Sequence, residues 1–307
     1  MKFERAQEII LNYSILTVLS GFAGIYQVQF AGKTAFMRCR ICTTDHENII
    51  SRITNYQDRD SQYYYCSLCS SYFLHPLPEK EMNLAFSGKE KAEERNLTEA
   101  RREKYYEHRI RLIERHLNPF AQPPALLEIG CGAGWFLSIA RKRGWRVQGV
   151  EISPELAEQS RKNNPGVIIY ETDFLRIQNT GPDEYDAIVG LDVIEHIPEP
   201  GKMLSLCYQF LKKGGLLLLQ TPNARSLRAR VEKDKWNMLC PEYHFSLFSK
   251  SALCALLHSK GFQILELRTV SGTGEEQGFR RLLARGREQL LSLFHLGNAL
   301  LVLSGKS

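Results

Sequence analysis

The sequence predicts an α/β protein in which helices cover both faces of a mostly parallel sheet, with a small cysteine-rich unit ahead of it. Three observations carry this prediction. From Ala125 onward, short apolar runs alternate with stretches of helical period, the pattern that consecutive βαβ units produce. A glycine turn, Gly130-Cys131-Gly132-Ala133-Gly134, separates the first strand of that pattern from its first helix. Upstream, two CxxC pairs, Cys39/Cys42 and Cys66/Cys69, stand 23 residues apart. The 307 residues, 43% hydrophobic and 24% charged, suffice for one large domain with its own core and a small accessory one.

Taken in order, residues 1–36 form an apolar extension. Ile9 to Gly32 carries no charged residue, so membrane association through residues 9–32 is one reading. The polar residues Asn12, Ser14, Thr17, Ser20, Gln27 and Gln29 thin the run. With Met37 close behind, an overextended reading frame is the other.

Residues 37–78 are the cysteine- and tyrosine-rich unit. Two CxxC knuckles supply Cys39, Cys42, Cys66 and Cys69, a donor set that matches a closed, structural Zn²⁺ site of the zinc-ribbon kind. Tyr63-Tyr64-Tyr65 and Tyr72-Phe73 have the strand propensity expected beside the knuckles. Paired knuckles point to a reducing, cytoplasmic setting rather than to a disulfide framework. The net charge of +6 is modest, and no dense basic patch recommends nucleic acid as a partner.

Residues 79–124 read as a helical linker in which Tyr105, Tyr106, Ile110, Ile113 and Leu117 mark one apolar face. Asn118-Pro119 and Pro123-Pro124 end it. In residues 125–307, strands are expected at Ala125–Ile129, Arg146–Glu151, Val167–Tyr170, Tyr185–Gly190, Leu216–Thr221, Phe262–Arg268 and Ala299–Ser304. Helices are expected at Gly134–Arg143, Pro154–Asn163, Gly201–Leu211 and Lys250–Lys260. Ser153-Pro154 offers a capping side chain followed by proline at the first helical position.

The candidate ligand site sits on the first two strands. Glu128-Ile129 runs into the glycine turn; Gly130, Gly132 and Gly134 permit a tight loop and close approach of backbone amides to a ligand. About twenty positions on, Val150-Glu151-Ile152 ends the second strand, and a carboxylate there can accept hydrogen bonds from both ribose hydroxyls. Asp173-Phe174 follows the third strand, suggesting an acceptor for an adenine amino group and a ring to pack on the base.

With these residues in place, the chain resembles the class I methyltransferases over roughly residues 100–307. The string ExGxGxG, here Glu128 to Gly134 with Cys131 at a variable position, matches that family's cofactor loop. Further landmarks follow in order: Tyr185-Asp186-Ala187-Ile188, Asp192-Val193-Ile194-Glu195-His196, and Leu211-Lys212-Lys213-Gly214-Gly215. The resemblance implies a Rossmann-like seven-stranded sheet with an antiparallel last strand. It implies S-adenosylmethionine as cofactor, bound by Glu128, Gly130, Cys131, Gly132, Gly134, Glu151, Ile152, Asp173, Phe174 and Asp192. Methyl transfer is an in-line displacement, so a base helps only where the acceptor must lose a proton. His196 and His244 are the candidate bases.

Two narrower resemblances concern the acceptor. The Asp192–His196 turn is similar to that of ubiquinone-pathway O-methyltransferases, which implies a possible Mg²⁺ at Asp192, Glu195 and His196. The segment Trp236, Pro241, Tyr243, His244 and Phe248, with a cysteine ribbon ahead of it, resembles sugar C-methyltransferases. That resemblance implies a small-molecule acceptor, first a sugar or glycan precursor, with Trp236 or Tyr243 walling its pocket. RNA or protein methylation with the ribbon as docking module is the alternative, and a non-catalytic cofactor-binding adaptor a further one.

Overall fold

A computed structural model describes residues 38–42, 49–52, 61–78, 98–117, 122–177, 184–270 and 296–307. The apolar segment 9–32 lies outside them. Among the described residues, no helix is long and apolar enough to cross a membrane.

The larger sheet is built from β4 (Ala125–Ile129), β5 (Arg146–Glu151), β6 (Ile168–Glu171), β7 (Tyr185–Leu191), β8 (Leu211–Pro222), β10 (Phe262–Val270) and β11 (Ala299–Lys306). Its seven strands run in the order β10-β11-β8-β7-β4-β5-β6. Pairs β4–β5, β5–β6, β4–β7 and β7–β8 are parallel. β11 is antiparallel to both its neighbours, β8 and β10. The chain therefore lays β5 and β6 to one side of β4, then crosses to lay β7 and β8 on the other. That reversal opens a crevice beyond the carboxyl ends of β4 and β7, where ligands of such sheets bind.

Period-two alternation assigns the strand side chains to two layers. Leu127, Ile129, Ile188, Leu217, Leu219 and Val302 face one core, completed by α4 (Pro200–Phe210) and α5 (Lys250–Ser259). Leu126, Ala187, Val189, Leu218, Leu301 and Leu303 face the other. That side is closed by α1 (Glu99–Glu114) and α2 (Trp135–Lys142), with α3 (Pro154–Asn163) beside β6. The linker helix thus belongs to the large domain: Tyr106, Ile110, Leu112 and Ile113 of α1 are buried.

The cysteine unit forms a second sheet from β1 (Ile49–Arg52), β2 (Gln62–Cys66) and β3 (Ser71–His75). Its fourth strand is β9, Ser246–Leu247. Tyr72 pairs with Leu247 and Phe73 with Ser246, antiparallel. The small unit is therefore not self-contained: a segment from the far end of the chain completes it. Tyr63, Tyr72, Leu74, Trp236, Phe245 and Leu247 bury one another at this junction.

Candidate functional site

All three glycines of the turn adopt left-handed backbone: φ is 64° at Gly130, 54° at Gly132 and 76° at Gly134. A side chain at Gly130 would meet Val193 Cγ2 at 2.7 Å. At Gly134 a β-carbon would lie 2.4 Å from both Ser160 Oγ and Asn164 Nδ2. The loop is braced from behind. Asn163 Nδ2 donates to Ala133 O at 2.8 Å, and Asn164 Nδ2 donates to Gly134 O at 2.9 Å. These two asparagines were not singled out in the sequence, because helix-end asparagines ordinarily serve only their own helix. Gly134→Ala combines a left-handed alanine with two clashes, so we expect about 2–5 kcal/mol of lost stability, read from urea unfolding midpoints.

Glu151 joins the two halves of the candidate cofactor site. Its Oε2 accepts from Gly132 N at 2.7 Å and its Oε1 accepts from Ser153 N at 2.9 Å. Each carboxylate oxygen keeps a further lone pair for a ligand hydroxyl. Ser153 caps α3, and Ile152 between them is half-buried. Glu128 is buried at the end of β4. The Cys131 side chain turns inward, with its sulfur 3.7 Å from Ser160 Oγ, so only its backbone belongs to the loop.

Asp173 Oδ1 accepts from Leu175 N at 2.9 Å and caps a short 3-10 turn. Phe174 departs from expectation. It is buried in the core, edge-on to Phe210 at 6.1 Å between ring centroids, rather than presented as a surface for a base. Asp186 of the YDxI string is structural: its Oδ2 accepts from Ala125 N and from Lys212 Nζ, both at 2.8 Å. It ties β4 to β7 and to the start of β8.

Asp192 closes β7 with a left-handed backbone, φ 54°. Gln220 Nε2 donates to Asp192 Oδ2 at 2.7 Å and to Tyr105 Oη at 2.8 Å. Gln220 Oε1 in turn accepts a short hydrogen bond from Arg109 Nη2. The Arg109 guanidinium lies over the Tyr105 ring at 3.3 Å. Burial lowers its pKa while the charges of Tyr105 and Asp192 oppose that shift. Sequence inspection missed Arg109 and Gln220, since a charge inside a highly charged stretch reads as solvated.

Beyond Asp192, a 3-10 turn at Ile194–His196 buries both Glu195 and His196. Thr221 Oγ1 donates to Glu195 Oε2 at 2.9 Å. His196 Nδ1 lies 2.7 Å from Tyr243 O, and His244 Nδ1 lies 2.7 Å from Met238 O. A carbonyl only accepts, so both rings carry their proton on Nδ1. Burial pushes His244 down to about 4. The grouping expected at Asp192, Glu195 and His196 is not the one assembled. Glu195 and His196 gather instead with His244, while Asp192 faces Gln220. Trp236 is buried at the junction with the cysteine unit.

The four knuckle cysteines converge. Cys39 Sγ and Cys69 Sγ are 3.8 Å apart, as are Cys42 Sγ and Cys66 Sγ. All four sulfurs lie within 4.8 Å of one another. Sulfurs bound tetrahedrally at about 2.3 Å from zinc have edges of about 3.8 Å, so the residues present fit that ion. Cys69 hydrogen-bonds Cys39 and draws its pKa down to about 5, while the same bond and burial push Cys69 up.

Residues 99–267 match the family described as "Methyltransferase domain". The chain belongs to that family. Its fold and family are those of the class I S-adenosylmethionine-dependent methyltransferases. This methyltransferase is 30% identical over 154 residues to a ubiquinone biosynthesis O-methyltransferase of Coxiella burnetii, covering 48% of this chain and 58% of the relative. The chain thus spans under two thirds of that relative's length. It is 29% identical over 176 residues to one of Xanthomonas axonopodis pv. citri, covering 53% and 71%. A SAM-dependent methyltransferase structure from Thermotoga maritima superposes with a TM-score of 0.51 at 20% identity, covering 74% of this chain and all 100% of the other. That likeness speaks for the fold alone.

Proposed function

We propose that this methyltransferase transfers the methyl group of S-adenosylmethionine to a small-molecule acceptor, first a sugar or glycan precursor. One observation carries the cofactor reading: the Glu151 carboxylate is pinned to the Gly132 amide at 2.7 Å, at the crevice mouth where strand order reverses. S-adenosylmethionine supplies an already activated sulfonium methyl, which leaves the protein to align the acceptor and exclude water. Glu151 orients the ribose, and Gly130, Gly132 and Gly134 admit the cofactor to the loop. Ile152 and the Asp173 turn flank the base. Asp192, held by Gln220, faces the amino-acid end. His196 and His244 are the bases we assign, each with its Nδ1 proton committed to a backbone carbonyl.

The supporting reading for the cysteine unit is a structural Zn²⁺ held by Cys39, Cys42, Cys66 and Cys69. A unit this small needs a staple, and it in turn holds the loop that carries His244. Residues 37–78 then act as an accessory domain and 125–307 as the methyltransferase domain, with the helix Glu99–Glu114 of the linker packed on the latter. A second acceptor class, a quinone-type phenol, is favoured by the names of the relatives from Coxiella and Xanthomonas.

The test is a transfer assay with methyl-labelled S-adenosylmethionine against nucleotide sugars, catechol-type quinone precursors and RNA. We expect label in a small molecule. Label found only in RNA or protein would overturn the acceptor reading, and no transfer despite tight S-adenosylhomocysteine binding would favour an adaptor.

A further inference from the structure

We infer that Gln220 is a positioning residue of the transfer site. Its amide stands as a neutral spacer between the Arg109 cation and the Asp192 carboxylate, and keeps both charges for the zwitterionic amino-acid end of S-adenosylmethionine. The inference rests on the cofactor reading above, in which Asp192 faces that end. Gln220 lies near the end of β8, in register with Leu191 of β7, and its side chain is buried. A buried amide costs stability unless it is partnered. Its Nε2 donates to Asp192 Oδ2 at 2.7 Å and to Tyr105 Oη at 2.8 Å, and its Oε1 accepts from Arg109 Nη2. A guanidinium only donates and an ionised carboxylate only accepts, so one orientation of the amide serves both.

Both charges are fixed from several sides. Arg109, on α1, donates Nη1–H to Tyr105 O at 2.9 Å and lies over the Tyr105 ring. Its route to Asp192 runs through the amide of Gln220. Asp192 is tied to the same residue a second time, since its backbone N donates to Gln220 O at 2.9 Å. The next residue, Val193, abuts the glycine turn at Gly130. Gln220 therefore sets the spacing of a cation and an anion at a fixed place relative to the candidate cofactor loop.

The spacer matters because a buried Arg109–Asp192 ion pair would satisfy itself. A zwitterionic ligand would then have to break that pair before using either charge. A neutral amide bonds both partners through its own dipole and leaves the charge of each in place. If Gln220 merely tied α1 to the sheet, every adenosine ligand would suffer alike when it was changed. A spacer instead acts on ligands that carry the amino-acid end.

The experiment titrates the full chain in a calorimeter with two ligands, S-adenosylhomocysteine and methylthioadenosine. The second has the same adenosine and thioether sulfur but no amino-acid end. Gln220→Met keeps the length and loses the three side-chain hydrogen bonds. Gln220→Glu keeps an acceptor for Arg109 but sets a second carboxylate against Asp192, where the two cannot both stay ionised. In each variant we expect S-adenosylhomocysteine affinity to fall about 10–100-fold, as for one charge-assisted hydrogen bond, with methylthioadenosine held within a few-fold. Gln220→Glu stands in if the unfolding midpoint shows that Gln220→Met does not fold. Equal losses for both ligands, or none for either, would overturn the role of Gln220. Glu151→Ala is the reference, because both ligands carry the ribose and both should weaken. If it weakens both while the Gln220 variants bind normally, this inference falls and the cofactor reading stands; if it weakens neither, the cofactor reading falls and takes this inference with it.

Discussion

Glu151→Ala is expected to weaken S-adenosylhomocysteine binding by about 10²–10⁴-fold in calorimetry. Two hydrogen bonds from ribose hydroxyls to a carboxylate are lost, each worth about 1.5–3 kcal/mol. The loop loses its brace as well, because Gly132 N and Ser153 N both donate to this side chain. Glu151→Gln should fall between the two, since the amide keeps one acceptor of similar shape but not the charge. Full affinity in Glu151→Ala would mean that the cofactor lies elsewhere.

The second large effect should separate cofactor binding from transfer. Cys66→Ser, or chelation of the Zn²⁺ proposed at the cysteine site, is expected to leave S-adenosylhomocysteine affinity within a few-fold. Transfer should fall by about 10–100-fold or more, because a misplacement of 1 Å near the chemistry can cost about 10². The physical link is the set of contacts between the unit and the segment that carries His244. Leu74 N donates to Phe245 O at 2.9 Å, and Ser249 Oγ donates to Cys69 O at 2.6 Å. Ser249 N donates to Ser71 Oγ at 2.9 Å. Losing several kcal/mol of metal-linked stability should also lower Tm by roughly 10 °C, at about 2–4 °C per kcal/mol for a chain of this size. If the variant transferred methyl groups at the full rate, the unit would be a stabiliser without influence on the acceptor side.

The parallel sheet was legible because strands such as Leu126–Ile129 and Leu216–Leu219 are apolar on both faces. Arg146–Glu151 and Pro154–Asn163 coincide with the elements found. β8 begins earlier than its apolar run suggests, at Leu211. Lys212, Lys213, Gly214 and Gly215 hide its first turnless residues, and only pairing with β7, through a register shift near Tyr185, reveals them. Site residues next to one another in sequence were legible, as Glu128 to Gly134 show. Those joined only by the fold were not. Arg109 meets Gln220, and His244 meets Glu195 and His196, across separations at which no local pattern survives. Phe174 was misread for a related reason: an aromatic beside a loop aspartate looks the same whether it faces a ligand or, as here, Phe210.

The pairing of β3 with β9 also sets an order of events during synthesis. The hydroxyl of Tyr63 and the carbonyl of His244 are 181 positions apart. At translation rates of about 5–20 residues per second, the cysteine hairpin waits about 10–40 s for its last strand to be made. Through that interval the edge of β3 that Ser246–Leu247 will cover stays open to other chains. A nascent chain stalled between Pro78 and Ser246 therefore lacks the strand that caps this edge, and the last contact of the small sheet is one of the later ones the chain can make.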